Sequence, residues 1–402
     1  MKILSLFGTR PEAIKMVPLL KCLEADSRVE SIVCVTGQHR AMLSQVLDLF
    51  NIKADFDLDI MQPDQTLNSM SARLIVAIDE ILQRVAPDRV LVHGDTTTAM
   101  AGALAAFHRR IPVGHVEAGL RTNDLSQPFP EEMNRRVIDI VSDMLFAPTA
   151  LSKNNLEAEN LSGRIFTTGN TVVDALHLAT RRIDSDQGLR AQLDRSLPPP
   201  AIGRKVLLVT GHRRENFGSG FINICSALAK LAQRDDLQII FPVHLNPNVR
   251  APVLAMLSHA QNIHLIEPLD YLHFVRLMQR SHIILTDSGG VQEEAPALGI
   301  PVLVVREVTE RPEAVAAGTV RLVGTDSEQI VAGVTTLLEN DAQWRDFSRR
   351  HNPYGDGNAA RRIVAMLLGD PTDEFLSVPA SRTASPQQSV GSTTTNHSSS
   401  TF

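Results

Sequence analysis

Three carboxylates sit where a folded chain could bring them together. Asp95 follows the apolar run Arg89-Val90-Leu91-Val92, within His93-Gly94-Asp95-Thr96-Thr97-Thr98. Glu117 follows the next such run, within His115-Val116-Glu117-Ala118-Gly119-Leu120-Arg121. Glu131 comes in Pro128-Phe129-Pro130-Glu131-Glu132-Met133-Asn134-Arg135-Arg136. Three successive segments at strand ends thus each deliver a carboxylate. Taken singly, each has a plain structural use. Asp95 could cap a helix, although Thr96 to Thr98 could do so instead. Glu131 and Glu132 open a helix, where the macrodipole alone favours acids. Together they mean more. Crowded carboxylates cannot all ionise freely, so one keeps its proton and becomes a donor beside the acceptors. That is the equipment of general acid–base catalysis.

A second group of residues suits an anion. Gly8-Thr9-Arg10-Pro11-Glu12 is followed by Lys15. Gly8 permits a tight turn and Pro11 suits a first helical position, so Arg10 and Lys15 fall near a helix N-terminus, where anions are favoured. Gly211-His212-Arg213-Arg214-Glu215-Asn216 adds a cationic edge; its plain alternative is a set of surface salt bridges. Thr286-Asp287-Ser288-Gly289-Gly290-Val291-Gln292-Glu293-Glu294 puts two glycines at a helix start, where exposed N–H groups can hold a diphosphate. Glu294 lies one turn further on, within reach of ribose hydroxyls. Thr309-Glu310-Arg311-Pro312-Glu313 offers another cation, and His244 in Pro242-Val243-His244 serves as readily in structure as in binding.

These residues need a scaffold that ends strands near one another. Short β-branched runs near 2–7, 30–36, 88–92, 112–116, 143–147 and 165–168 alternate with amphipathic stretches such as 11–25, 65–85, 96–108 and 132–142. The alternation predicts βαβ units and a parallel sheet. Residues 184–203 turn polar and end in Pro198-Pro199-Pro200, which reads as a linker. A second series of strands follows near 205–210, 237–241, 262–266, 282–286 and 301–305. The expected fold is α/β, with two Rossmann-like domains at 1–183 and 204–351. A helix is expected within 352–370, after the break at Asn352-Pro353-Tyr354-Gly355-Asp356-Gly357. From 371 to 402 Ser, Thr, Pro and Gln dominate, a composition too polar to offset ordering, and a disordered tail is expected. Ligands of open parallel sheets bind outside the carboxyl ends of strands, where the segments above lie.

Composition removes other classes. With 402 residues, two domains are the first expectation. A net charge of −6 gives no sign of a nucleic-acid partner, and no apolar run is long enough to span a bilayer. Met1 to Phe7 is too short and too soon interrupted for a signal peptide, so a cytoplasmic location is expected. Cys22, Cys34 and Cys225 are far apart and form no CxxC pair, so no metal site is expected. Gly218-Ser219-Gly220 imitates a dinucleotide fingerprint, but Asn223 takes the third glycine position, and no P-loop exists. No cofactor is expected.

In order along the chain, GTRPE (8–12), HGDTTT, HVEAGLRT, PEEMNR, GHRREN, PVHLNPNV, DSGGVQEEAP, TERPEA and NPYGDG (352–357) resemble the non-hydrolysing UDP-N-acetylglucosamine 2-epimerases. The likeness covers about the first 365 residues. It implies a glycosyltransferase-B-like pair of domains facing across a cleft, with the last helix crossing back to the first. It implies reversible conversion of UDP-GlcNAc to UDP-ManNAc without added cofactor, for surface polysaccharide synthesis, by a homodimer. Asp95, Glu117 and Glu131 match the family's acid–base carboxylates, with His212 beside them. Arg10, Lys15, His212, Ser288, Gly289, Gly290, Glu294 and Arg311 match substrate-binding positions, as do Asp95 and Glu117. Phe274 matches a uracil-side contact. Gln38, Glu132, Arg213 and His244 match positions implicated in a second, activating UDP-GlcNAc.

The implied chemistry suits these residue types. The C2 proton of an N-acetylhexosamine is not beside a carbonyl, so direct abstraction is very unfavourable. Expelling UDP from C1 while a base removes that proton gives a glycal; re-addition of UDP with protonation on the other face completes epimerisation. This needs cations and N–H donors for the leaving diphosphate and at least two carboxylates for the sugar.

Overall fold

A computed structural model describes residues 1–37, 40–60 and 65–377, without the side chains of 40–42. Two parallel sheets form. The first contains β1 (Lys2–Phe7), β2 (Glu30–Val35), β3 (Phe56–Asp57), β4 (Arg89–His93), β5 (Val113–Val116), β6 (Met144–Ala147) and β7 (Arg164–Thr167), in the order β3-β2-β1-β4-β5-β6-β7. The second contains β8 (Lys205–Thr210), β9 (Leu237–Pro242), β10 (Ile263–Ile266), β11 (Ile283–Thr286), β12 (Val302–Val304) and β13 (Val320–Leu322), in the order β10-β9-β8-β11-β12-β13. The central strands are buried on both faces, which is why they read as apolar runs rather than alternating ones. The expected pair of Rossmann-like halves is therefore present. β3 and β13 escape a sequence reading because two or three residues carry no periodicity.

Each sheet reverses its strand order once, between β1 and β4 and between β8 and β11. The register aligns Leu4 with Val90 and Leu208 with Ile284, so the carboxyl ends of each pair come level. The loops leaving such strands diverge to opposite faces and open a crevice. The two halves also share a core. Met16 and Leu176 of the first half belong to the same buried apolar cluster as Val275, Val291 and Ala295 of the second.

The segment 184–203 is more structured than its composition implies. Gln187–Ser196 is helical, capped by Asp186, and buries Leu193, with Leu197 buried just past its end. The last helix, Ala359–Leu368, packs on the helices Arg10–Ala25 and Thr171–Ser185 of the first half. Its first N–H groups donate to Asp174, at 3.2 Å from Ala359 and 2.9 Å from Ala360. Residues 371–377, inside the expected tail, bind the first half: Phe375 is buried, and Glu374 accepts from Lys153 and from the Thr167 N–H. A single aromatic in a polar segment is too weak a pattern to reveal such docking. Residues 378–402 lie outside the described part.

Candidate active site

The first crevice is built by the loops after β1 and β4. Thr9 caps the helix Arg10–Ala25 in a capping box with Glu12. Buried Glu12 accepts from the N–H groups of Gly8 and Thr9 and from the Thr96 hydroxyl at 2.6 Å, tying the two loops together. Gly8 is needed here for space rather than for a turn: a Cβ would overlap the hydroxyls of Thr36 and Thr98. Thr96, not Asp95, caps the helix Thr97–His108. Asp95 is thereby left free to face the crevice, with Arg135 Nη2 2.6 Å from its carboxylate.

Two strand ends, not three, supply the carboxylates. Glu117 and Glu131 both belong to the connection from β5 to the helix Glu131–Val141. Glu117 has a left-handed backbone, φ +68°, which is uncommon for a non-glycine residue and aims its side chain back across β4. Glu131 begins its helix without capping it; Pro130 is the N-cap. His115 fixes the floor beneath them, bonded to the Gly94 carbonyl at 2.7 Å and to buried Asp139 at 2.6 Å.

The second crevice is built by the loops after β8 and β11. Asp287 accepts from the N–H groups of His212 and Arg213, both at 2.9 Å, which places His212 at the cleft. Its ring stacks on His244, with centroids 5.8 Å apart. At Gly289 the position a Cβ would take lies 3.7 Å from Nη2 of both Arg213 and Arg311, so two guanidinium groups face the glycine turn.

Two cavities lie side by side between the halves. One, of about 310 Å³, has Arg10 and Lys15 on one wall and His212, Phe274, Ser288, Gly290 and Glu294 on the other. The second, of about 260 Å³, is lined by Asp95, Glu117, Glu131, Arg135 and Arg311 among others. Lys15 spans the boundary, since it donates to Glu117. The first cavity mixes an aromatic face, cations and a glycine turn, and suits a nucleotide diphosphate. The second is a carboxylate-rich recess that meets the first at the Lys15–Glu117 pair, and can move protons on whatever is held there.

The charges in the recess are unequal. Burial works against the Glu117 carboxylate, but the charge of Lys15, which also donates to it, is the largest opposing effect, and its pKa lies well below the usual carboxylate range. Asp95 goes the other way: burial raises it, only partly countered by Arg135, and nearby Glu117 raises it further. Two carboxylates pushed apart in this manner can serve as acceptor and donor together. Burial lowers His93 to about 3, so it is a neutral neighbour of Glu117. Burial pushes Glu294 up to about 7, against the opposing Tyr271 hydroxyl bond at 3.2 Å.

Several site residues carried no signal strong enough to read from sequence. Arg135 is one of two adjacent arginines in an amphipathic helix, indistinguishable there from a solvated one. Glu293 stands beside Glu294, and only the fold says which way each turns: Glu293 bonds Arg311, Glu294 bonds Tyr271. The sequence does not single out Asn170; it caps the helix Thr171–Ser185, and its amide also reaches Glu117 and Glu293. Of the residues matched to a second ligand, Gln38 lies outside the described residues. Arg213 lies 3.6 Å from Glu310. Glu132 is fully buried and accepts from the N–H groups of Thr122 and Asn123 and from Arg136, so in this conformation it shapes the loop and lines neither of the two cavities. Among the described residues no group of three or more His, Cys, Asp or Glu side chains is placed to hold a metal.

Residues 21–368 match the family model described as UDP-N-acetylglucosamine 2-epimerase. The chain is 56% identical over 369 residues to the UDP-N-acetylglucosamine 2-epimerase of Salmonella typhimurium, covering 91% of this chain and 98% of that one. The enzyme of the same name from Escherichia coli K12 is likewise 56% identical over 369 residues, with the same coverage. Among solved structures, UDP-GlcNAc 2-epimerase from Neisseria meningitidis bound to UDP-GlcNAc superposes with a TM-score of 0.85 at 50% identity, covering 92% of this chain and 100% of that one. The Methanocaldococcus jannaschii enzyme in complex with UDP-GlcNAc and UDP gives 0.76 at 34% identity, covering 92% and 100%.

Proposed function

The chain belongs to the UDP-N-acetylglucosamine 2-epimerase family, and on that premise we propose that it interconverts UDP-GlcNAc and UDP-ManNAc by eliminating and re-adding UDP. The observation that carries the mechanism is the adjacency of the two cavities, one suited to UDP and one lined by Asp95, Glu117 and Glu131. With the uracil toward Phe274, the ribose near Glu294 and the diphosphate over Ser288, Gly289 and Gly290, the sugar enters the carboxylate recess. Arg10, Lys15, His212 and Arg311 then answer the charge that grows on the departing UDP. Glu117, held ionised, is suited to take a proton; Asp95, with its raised affinity for one, is suited to give it. Glu131 lines the same recess as the third group. A glycal intermediate must not escape, and a site built from both halves can retain it while they stay closed.

The wider reading follows from the same assignment. Residues 1–183 and 204–351 act as the two domains, and the product feeds surface polysaccharide synthesis in the cytoplasm. Among the described residues no helix is long and apolar enough to cross a membrane. A homodimer is the expected assembly. For a second UDP-GlcNAc, Arg213 and His244 at the cleft edge are the better candidates, since Glu132 is enclosed.

The test is to incubate the protein with UDP-GlcNAc in D₂O and follow the sugar by NMR. UDP-ManNAc carrying deuterium at C2 supports the proposal. Free ManNAc would show hydrolysis instead, and unchanged UDP-GlcNAc would reject catalysis on this substrate.

A further inference from the structure

The reaction as proposed gives no part to Asn170 or Glu293, yet both are buried against the carboxylate recess. Asn170 follows β7 in the first half. Its amide nitrogen donates to Glu117 Oε2 at 2.9 Å and to Glu293 Oε2 at 2.8 Å. One NH₂ group has two hydrogens, so both bonds can stand at once. Its amide oxygen accepts from Val172 N–H at 3.1 Å and caps the helix Thr171–Ser185, and its own N–H donates to the Tyr354 carbonyl at 2.6 Å. The side chain therefore has little freedom to turn. Glu293, in the helix Gly289–Glu294 of the second half, also accepts from Arg311. The result is one chain, partly buried at its two ends and buried between them: Lys15, Glu117, Asn170, Glu293, Arg311.

The ends of this chain are cations that the diphosphate would claim. Once Lys15 and Arg311 turn toward phosphate, Glu117 and Glu293 remain buried with less positive charge beside them, and two like charges there are disfavoured. Asn170 is neutral and takes no part in phosphate binding, so its bonds survive that change. Glu117 is further faced by His93, whose Nε2 lies 3.7 Å away at the end of β4, and shares its cavity with Asp95, Arg121, Glu131 and Arg135. We propose that Asn170 and Glu293 are positioning residues that keep Glu117 the ionised carboxylate of the site. Asn170 does so by donating to it from the first half, and Glu293 by taking up the proton in its place. This inference rests on Glu117 being an acid–base group and deepens that reading. Burial raising the proton affinity of Glu293, against the pull of Arg311, agrees with it.

The test uses Asn170→Ser and Asn170→Asp in the full chain, since both substitutes can still cap the helix. UDP binding by calorimetry reports that each variant is folded and holds nucleotide. Asn170→Ser is expected to lower kcat roughly 10- to 100-fold with KM changed less than about threefold. The acid limb of kcat should move upward by about one pH unit, and further for Asn170→Asp, which adds a like charge. In a Glu117→Gln background, followed by deuterium exchange at C2, Asn170→Ser should add less than about a twofold loss, because it acts through Glu117. Glu293→Gln, which imitates the protonated form, should keep kcat within about fivefold of the parent, while Glu293→Ala should not. Equal losses in both Glu117 backgrounds, or an unmoved acid limb with UDP binding intact, would overturn the inference. A Glu117→Gln protein with full turnover would instead remove the acid–base reading on which it stands.

Discussion

At the scale of single residues, the site works by giving similar groups different surroundings. Asp95 and Glu117 are both buried carboxylates, but Glu117 has Lys15 beside it and Asp95 has one guanidinium and a nearby negative charge. A positioned acid or base contributes roughly 10²- to 10⁴-fold, so Asp95→Asn should lose turnover by about that factor in a continuous assay of UDP-ManNAc formation. A loss below about tenfold would mean that Asp95 moves no proton. Glu294 gives a prediction about stability. Burial raises it from 4.5 to about 7 in the fold. Between those values the folded form keeps a proton that the unfolded form has released, so its contribution is full below pH 4.5 and is lost as pH rises through 7. Glu294→Gln escapes that loss. Denaturant titrations should show the variant gaining on the parent between pH 4.5 and 8, by on the order of 3 kcal/mol at the upper end.

At the scale of elements, helix ends and strand ends do the positioning. Thr96 takes the capping duty that would otherwise fall to Asp95, and the fold decides between them by which side-chain oxygen accepts from the Ala99 N–H, here the Thr96 hydroxyl. The same logic holds the last helix in place. Asp174, on Thr171–Ser185, supplies the acceptor for the first N–H groups of Ala359–Leu368, a cap from a residue 185 positions away in sequence. Asp174→Ala should therefore cost about 1–2 kcal/mol in urea unfolding, like the loss of a local cap. An unchanged midpoint would show that packing alone docks this helix. Phe375 is the other anchor of the C-terminal segment. With its ring buried against the first half, Phe375→Ala should cost about 3 kcal/mol.

At the scale of the whole molecule, the site exists only because two halves meet. Arg10 and Lys15 come from one side of the cavity proposed for the nucleotide, Ser288 and Glu294 from the other. The halves also share an apolar cluster, from Met16 and Leu176 to Val275 and Val291. A core continuous across the cleft should melt as one unit. Calorimetry of the unliganded protein is expected to show a single transition, and UDP at 100 times its Kd should stabilise it by about 2.7 kcal/mol. Two separate transitions would indicate that the shared core does not couple the halves.

The sequence by itself determined the parallel α/β architecture in two series. Strands buried on both faces must be apolar, and crossovers must be helical, so both leave a local pattern. It also placed Asp95, Glu117, Gly289 and Gly290 just beyond strand ends, because loops there break that pattern with glycines and acids, whereas Glu131 proved to open a helix in the same connection as Glu117. What local pattern cannot carry is which way a side chain turns and what it meets. Only the tertiary structure separated Glu131, which lines the recess, from Glu132, which is sealed beneath a loop. It alone showed that Gly8 answers a shortage of space, that the polar stretch before Pro198 holds a helix, and that Phe375 docks. It also decided that Asn170, which the sequence does not single out, caps a helix and touches two carboxylates from opposite halves. Those facts depend on contacts between residues far apart in the chain, and such contacts arise only when the sheets have packed.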